Sequence, residues 1–143
     1  RLDMSEKFKI LAKYIKDMSS ETPDVETYIY VKEKILTYNM NIEINSLPLK
    51  NQMIEVNTKL SFKDNGDSKK KSYFEIIYST IIKINSDIKE KKEIEKIVLV
   101  EVQNKIYNNL EKAFLDIIWN SGFKNIKIDK KIDFEKLYLS RVN

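Results

Sequence analysis

The side chains that could do chemistry in this chain are carboxylates, lysines, tyrosines and serines, because it has no cysteine and no histidine. A thiol nucleophile, a disulfide, a Cys or His zinc site and an imidazole acid or base are therefore excluded. An acid and base pair would have to use carboxylates such as Asp116, Asp129 and Asp133. Their spacing is more typical of helix capping and solvation, so the sequence does not predict an enzyme.

Neither a cofactor nor a nucleic-acid partner is predicted. The 2 glycines leave no Gly-rich phosphate-binding motif. The net charge is +4, but 22 acidic residues are interspersed among the 26 basic ones. Lys69, Lys70 and Lys71 form the only tight basic cluster, and arginine occurs only at Arg1 and Arg141. This pattern is typical of a solvated surface more than of a phosphate-binding face.

The length of 143 residues predicts one domain spanning the whole sequence, with one hydrophobic core. No apolar run approaches the roughly 18 residues that a membrane span needs, and no signal-peptide pattern opens the sequence. Because the first residue is Arg1 and not methionine, we expect that a preceding segment has been left out.

Alternating apolar residues predict four antiparallel strands, at about residues 8–18, 38–48, 54–62 and 73–84. In the first strand one face carries Phe8, Ile10, Ala12 and Tyr14. Residues 24–35 have a mixed pattern, which indicates a crossing loop or a short helical turn. Gly66 is expected to supply a positive φ in the third connection. The fourth strand is apolar on both faces along Ile76, Ile77, Ile81 and Ile82, which suggests self-association.

Residues 104–122 predict one amphipathic helix of about five turns. Asn104 is the expected N-cap and Gly122 the expected C-cap. The short apolar run 97–102 fits a strand or a helix equally well. After the long helix, residues 123–128 are expected to be extended, and Asp133 can cap a short final helix. Four antiparallel strands followed by helices define an α+β fold.

Two stretches together resemble the SecB family of bacterial export chaperones. Residues 98–141, VLVEVQNKIYNNLEKAFLDIIWNSGFKNIKIDKKIDFEKLYLSR, resemble the main helix, the GF turn, the extended linker and a final helix that opens with a DF pair. Residues 14–23, YIKDMSSETP, resemble the first strand and its acidic exit. The strands between them agree in number, order and approximate spacing, so the resemblance covers nearly the whole chain.

This resemblance implies a four-stranded antiparallel meander with the long helix packed on it and a short C-terminal helix. It also implies a cytoplasmic homotetramer, a dimer of dimers, without a metal, a cofactor or direct membrane insertion. The family's activity is to hold unfolded preproteins in apolar grooves, without ATP, and to pass them to the translocation ATPase SecA. Family members are typically acidic overall, whereas this chain is basic, so attraction toward a basic partner surface would be weaker or local.

The resemblance also implies two sets of site residues. The walls of the client-binding groove would be apolar, from Met40, Ile42 and Ile44 on the second strand, Phe134 and Leu137 on the final helix, and Tyr28 and Tyr30 in the crossing segment. The SecA-binding residues would match the family's acidic and apolar positions, and they are Asp17, Glu21, Tyr73 and Glu75.

Two alternatives remain open from the sequence. The first is a SecB-like chaperone dedicated to one antitoxin, which Asp17, Glu21 and Glu75 argue mildly against. The second is a nonchaperone interaction module whose apolar surface serves only as an oligomer interface.

Overall fold

The computed structural model describes residues 6–124, 126–128 and 131–142 as a four-stranded antiparallel sheet with helices. The strands are β1 (Phe8–Glu21), β2 (Asn39–Pro48), β3 (Met53–Lys63) and β4 (Tyr73–Ile84). The helices are α1 (Val25–Lys34), α2 (Lys91–Lys96), α3 (Val102–Asn120) and α4 (Phe134–Val142). The predicted α+β fold class is confirmed.

The strand order is β1-β4-β3-β2, which corrects the expectation of a simple meander. Only β2, β3 and β4 follow one another as neighbours. β1 pairs with β4, so the chain crosses the whole sheet after β1 before it begins β2 at the other edge. This arrangement is of the Greek-key type.

β1 is longer than predicted and is interrupted by two bulges, between Ile10 and Ala12 and between Ile15 and Asp17. A bulge adds one residue to one strand and reverses the alternation of its side chains. Phe8 and Ile10 therefore share a face with Ile84 and Ile82, but Ala12 lies opposite Ile81, on the outer face. The prediction that these residues and Tyr14 share one face is wrong for this reason.

α1 begins shortly after β1, and Asp24 is its N-cap. The Thr27 backbone N–H donates to the Asp24 carboxylate at 2.8 Å, and Lys32 and Lys34 lie in the last turn, where positive charge is favourable. The crossing segment is thus a ten-residue helix, followed by a 3-10 turn at Ile35–Thr37, and not a loop.

The long helix begins earlier than predicted. α2, a π-helical stretch at Ile97–Glu101 and α3 form one helical run over residues 91–120, so Asn104 is an exposed position inside the run and not an N-cap. The ambiguous apolar run is the π-helical stretch, and it buries Ile97, Val98 and Val100. The run covers the sheet face that carries Val56, Leu60 and Ile76, all fully buried.

A buried glutamine connects the π-helical stretch to the sheet. The Gln103 side chain is 0% exposed. Its amide nitrogen donates to the Val98 carbonyl at 3.1 Å, and its amide oxygen accepts from the Thr58 hydroxyl of β3 at 3.0 Å. A π turn disrupts the regular backbone hydrogen bonds, and Gln103 supplies a partner for the carbonyl at that point.

The two predicted glycine turns have different outcomes. Gly122 has a φ of +106°, and the backbone N–H groups of Gly122 and Phe123 donate to the carbonyls of Trp119 and Ile118. This is a Schellman C-cap, as predicted. Gly66 does not adopt a positive φ. The positive φ values among the described non-glycine residues lie instead at Asn51 and Gln52, between β2 and β3.

β4 is apolar on both faces, and the apolar side chains on its outer face are partly buried. Ile77 and Ile81 lie on the outer face and are half-buried. The larger exposed apolar side chains of the sheet lie on its two edge strands, with Leu47 on β2 and, on β1, Leu11, Tyr14, Ile15 and Met18. β4 therefore does not present a fully exposed apolar face, and self-association through it stays a prediction.

Gly122→Ala should destabilise the protein, because the new Cβ would lie 2.7 Å from the Tyr28 ring at a φ that side chains rarely adopt. We expect a loss of about 1–3 kcal/mol in the free energy of unfolding, measured by urea unfolding at fixed protein concentration. Gly66→Ala is the matched control, since its Cβ would meet only the Asp64 side chain. Equal stability of the two variants would contradict this account of the turn.

Candidate functional site

An open groove runs between β2 and the segment that leads into α4. Its volume is about 810 Å³. The lining comes from two stretches of chain and comprises Tyr38, Asn39, Met40, Ile42, Ile128, Lys131, Ile132, Asp133, Lys136 and Leu137. We call this the β2 groove. β2 is an edge strand of the sheet, so the groove lies beside backbone groups that a further strand could pair with.

Three of the five groove residues predicted from β2 and α4 line this groove, namely Met40, Ile42 and Leu137. All three are half-buried, so their side chains are fixed by the fold and still accessible. Ile44 and Phe134 are buried in the core at 7% and 3% exposure. Phe134 packs edge-on against the ring of Tyr107, with centroids 5.4 Å apart. Neither residue lines the β2 groove, and Ile44 instead borders a separate small depression with Ile94 and Val98.

A second depression, of about 690 Å³, lies between α1 and the chain after α3. We call it the α1 groove, and its lining is Tyr28, Lys32, Ile35, Leu36, Gly122, Phe123, Lys124 and Ile126. Tyr28 is held in place because its hydroxyl donates to the Gly122 carbonyl at 2.8 Å. The sequence did not single out Leu36, which is 85% exposed. Tyr30 does not line this groove.

The two grooves follow one another along both of the chain segments that form their walls. On one side Ile35 and Leu36 line the α1 groove, and the β2 groove begins at Tyr38. On the other side the lining passes from Ile126 to Ile128. An extended segment could therefore contact both grooves in succession.

The four predicted SecA-binding residues lie together on the outer face of the sheet, away from the helices. Glu21 is paired with Tyr73 in the β1–β4 register, Ser19 with Glu75 and Asp17 with Ile77. Residues paired across antiparallel strands point to the same face. Asp17 and Glu21 are exposed, and Tyr73 and Glu75 are half-buried. We call these four residues and Glu43 the acidic corner.

Hydrogen bonds fix the charge of the acidic corner. The Tyr73 hydroxyl donates to the Glu75 carboxylate at 2.6 Å, and Lys59 lies 3.2 Å from Glu75 and 3.8 Å from Glu43. Donation from Tyr73 and the positive charge of Lys59 hold the pKa of Glu75 below its ordinary value. Burial and the neighbouring carboxylates raise the pKa of Tyr73 to about 12. Glu75 is therefore ionised at neutral pH and Tyr73 is not.

The residues predicted from the sequence for this surface did not include Glu43 or Lys59. A signal was available, because both residues fall on the polar face of the alternating strands and are paired in the β2–β3 register. Four carboxylates outnumber the two lysines on this part of the outer face, Lys59 and the exposed Lys63, so the acidic corner is locally negative although the chain is basic.

A third apolar surface lies where β1 meets α3. Ile15 and Met18 of β1 line a depression of about 440 Å³ together with Ala113 and Ile117 of α3. Both β1 residues are about half-exposed, at 44% and 52%. β1 is also an edge strand, so open backbone groups and apolar side chains occur together here.

The two described carboxylates that were considered as an acid and base pair have ordinary structural surroundings. Asp133 caps α4, since its carboxylate accepts from the Lys136 backbone N–H at 3.1 Å, and Asp116 is exposed on α3. Asp129 lies outside the described residues. Within the described ranges no cluster of three or more carboxylates could hold a metal ion, and no helix is long and apolar enough to cross a membrane.

The fold is that of a SecB-like chaperone. The Mycobacterium tuberculosis SecB-like chaperone, solved with a peptide from the HigA1 antitoxin, superposes with a TM-score of 0.66 at 8% identity, over 88% of each chain. The model of the family described as preprotein translocase subunit SecB matches residues 2–143. The chain therefore belongs to the SecB family.

Individual relatives agree with this assignment. The chain is 52% identical over 140 residues to a SecB export protein of Pelagibacter ubique, covering 98% of this chain and all of that one. It is 30% identical over 135 residues to the protein-export protein SecB of Bartonella quintana, covering 94% of this chain and 84% of that one.

Tyr73→Phe should make stability less dependent on pH. The pKa of Glu75 is lowered in the folded state, so its stabilisation is present above the ordinary value of 4.5 and is lost as the pH falls through the folded value. Removing the Tyr73 hydroxyl should cost about 1 kcal/mol at pH 7, with the difference from the parent shrinking toward pH 3. Urea unfolding over this range measures the effect.

Tyr78→Phe provides the control for this experiment, because Tyr78 is half-buried on the opposite face of β4 and donates no hydrogen bond to a described carboxylate. Its difference from the parent protein should not change with pH. A constant difference for Tyr73→Phe as well would show that the hydroxyl does not act through Glu75.

Proposed function

We propose that this protein is an ATP-independent holding chaperone, which keeps preproteins unfolded in its grooves and delivers them to SecA for export. The observation that carries the proposal is the β2 groove, an open apolar groove beside an edge strand in a member of the SecB family. The relative at 30% identity is an export protein by name, which favours export over an antitoxin-dedicated role.

The walls of the β2 groove suit an unfolded client. Met40, Ile42 and Leu137 offer apolar contact without a shape that requires one sequence, and methionine is especially adaptable. The free edge of β2 can add backbone hydrogen bonds, which are the same for every client sequence. Binding would then depend on the apolar character of a segment and on its extended conformation.

SecA is proposed to bind the acidic corner. The exposed carboxylates of Asp17 and Glu21 can attract a basic partner surface, and Tyr73 adds a half-buried aromatic ring at the same position. The acidic corner is on the outer face of the sheet, whereas the client-binding residues of β2 are on the helix-bearing face. A loaded client would leave the SecA-binding surface free.

The protein is proposed to form a tetramer, a dimer of dimers. The β1 and α3 surface around Ile15, Met18 and Ile117 supports self-association, because an edge strand with exposed apolar side chains is a site for pairing with another chain.

Met40→Asp should weaken client binding about tenfold or more, since it removes apolar contact and places a charge in the groove. The measurement is the dissociation constant for a fluorescently labelled unfolded preprotein. Asn41→Asp is the matched control, because Asn41 is exposed on the same strand with its side chain on the other face. Unchanged affinity of a folded Met40→Asp protein would overturn the groove assignment.

Asp17→Lys should weaken SecA binding about fivefold or more at low salt, with less effect as salt rises. Asp17 is exposed and makes no ion pair with another described residue, so the change is expected to spare the fold. Calorimetry measures SecA binding, and light scattering on the same samples should give a tetramer mass for both proteins.

Asp87→Lys controls for net charge, because Asp87 is exposed just beyond the other end of β4. Full-strength SecA binding by Asp17→Lys would remove this residue from the proposed site. If the parent tetramer holds clients but does not bind SecA, the antitoxin-dedicated chaperone becomes the better proposal. A tetramer that binds no client would favour an interaction module.

A further inference from the structure

The rims of the two grooves carry an excess of lysine. Lys131 and Lys136 border the β2 groove, and Lys32 and Lys124 border the α1 groove. All four side chains are exposed. Asp133 is the single carboxylate in the two described linings. Four positive charges and one negative charge therefore surround surfaces that are otherwise mainly apolar.

The Asp133 carboxylate already accepts a hydrogen bond within the protein. Asp133 accepts from the Lys136 backbone N–H at 3.1 Å as the cap of α4, so it interacts with the positive end of that helix. It is correspondingly less available to balance the lysines or to bind a basic group of a ligand.

A few lysines elsewhere on the protein are held in ion pairs. Lys16, Lys59, Lys70 and Lys96 each lie within 4.0 Å of a glutamate carboxylate. Among the residues that the structure describes, no such ion pair involves the four rim lysines. Their charges are therefore available to a ligand, and their aliphatic stems can pack along its apolar part.

We propose that the grooves select extended apolar segments flanked by acidic side chains. This inference rests on the proposed holding function and names the client chemistry that the same grooves prefer. An apolar segment lying in the grooves places its flanking residues at the rims, where glutamate or aspartate can pair with the lysines. Each exposed pair contributes about twofold in affinity, so two or three pairs give a preference of about fivefold.

The experiment uses the full chain and three labelled peptides with the same uncharged apolar core and with Glu, Gln or Lys flanks. Dissociation constants are measured by fluorescence anisotropy at about 20 mM and about 300 mM salt. We expect the Glu-flanked peptide to bind about fivefold more tightly than the Gln-flanked one at low salt, with the Lys-flanked peptide weakest. This advantage should shrink at high salt, while binding of the Gln-flanked peptide changes little.

Two double variants locate the charges responsible, Lys131→Gln with Lys136→Gln for the β2 groove and Lys32→Gln with Lys124→Gln for the α1 groove. At least one of them should lose most of the preference for Glu flanks and retain affinity for the Gln-flanked peptide. The matched control is Lys50→Gln with Lys83→Gln, which changes the net charge equally. Lys50 is in the β2–β3 turn and Lys83 on the outer face, and both are exposed.

Equal binding of the Glu-flanked and Lys-flanked peptides would overturn this inference and leave the holding function intact, provided that the Gln-flanked peptide binds. Loss of the preference in the control to the same extent would also overturn it, since overall charge and not the rims would then be responsible. If no peptide binds, the holding function itself fails.

Discussion

The packing of the helical run 91–120 on one face of the sheet is the interaction on which the rest of the structure depends. The run buries Ile97, Ile106, Leu110 and Phe114, and most of the stability of a helix in a protein comes from such packing. Gln103 adds a polar contact of defined geometry, because its partners lie on β3 and on the π-helical stretch. A buried polar group that must find its partners disfavours other registers of the helix on the sheet.

Both grooves follow from this packing. The C-cap at Gly122 reverses the chain at the end of α3 and places Phe123 against Tyr28 of α1, with ring centroids 5.2 Å apart. α4 then returns along the same run, with Phe134 against Tyr107 and Glu135 3.5 Å from Lys96. The walls opposite α1 and β2 are thus held by the helix that covers the sheet.

The acidic corner and the lysine-bordered grooves lie on opposite sides of the sheet. The outer face collects the carboxylates of the acidic corner, while the grooves on the other side are bordered by lysines. The net charge of +4 belongs to the whole chain and does not give the local charge of either surface. Charged groups on opposite faces of a domain are separated by more than the screening length at physiological salt, about 8 Å, so each surface acts on its own partner.

The sequence predicted what depends on local chemistry. The alternation in β2, β3 and β4 is uninterrupted in the structure, and the glycine cap at the end of α3 has the expected geometry. The face of Ala12 and Tyr14 was missed because no glycine, proline or polar turn residue marks the bulge at Leu11. The start of the long helix was missed because residues 97–100 are four consecutive apolar residues, which hides the helical period.

In the candidate site as well, residues that follow a local pattern were predictable, and residues placed by tertiary packing were not. Met40 and Ile42 were predictable from alternation, but Leu36 became part of a groove through the position of α1 across the sheet. Likewise, the short sequence of α4 does not reveal which residues face inward. Phe134 and Leu137 are three positions apart, and only packing against Tyr107 decides that the first is buried.

The order of the strands in the sheet also determines when each can pair during synthesis. β2, β3 and β4 are neighbours in the chain and can form two hairpins as they leave the ribosome. β1 is made first, but its partners run from Tyr73 to Ile84. At a translation rate of roughly 5–20 residues per second, β1 waits on the order of several seconds for β4. During that interval its apolar side chains belong to a nascent segment whose partner strand has not been made, so β1 cannot join the sheet until β4, the last strand, has been synthesised.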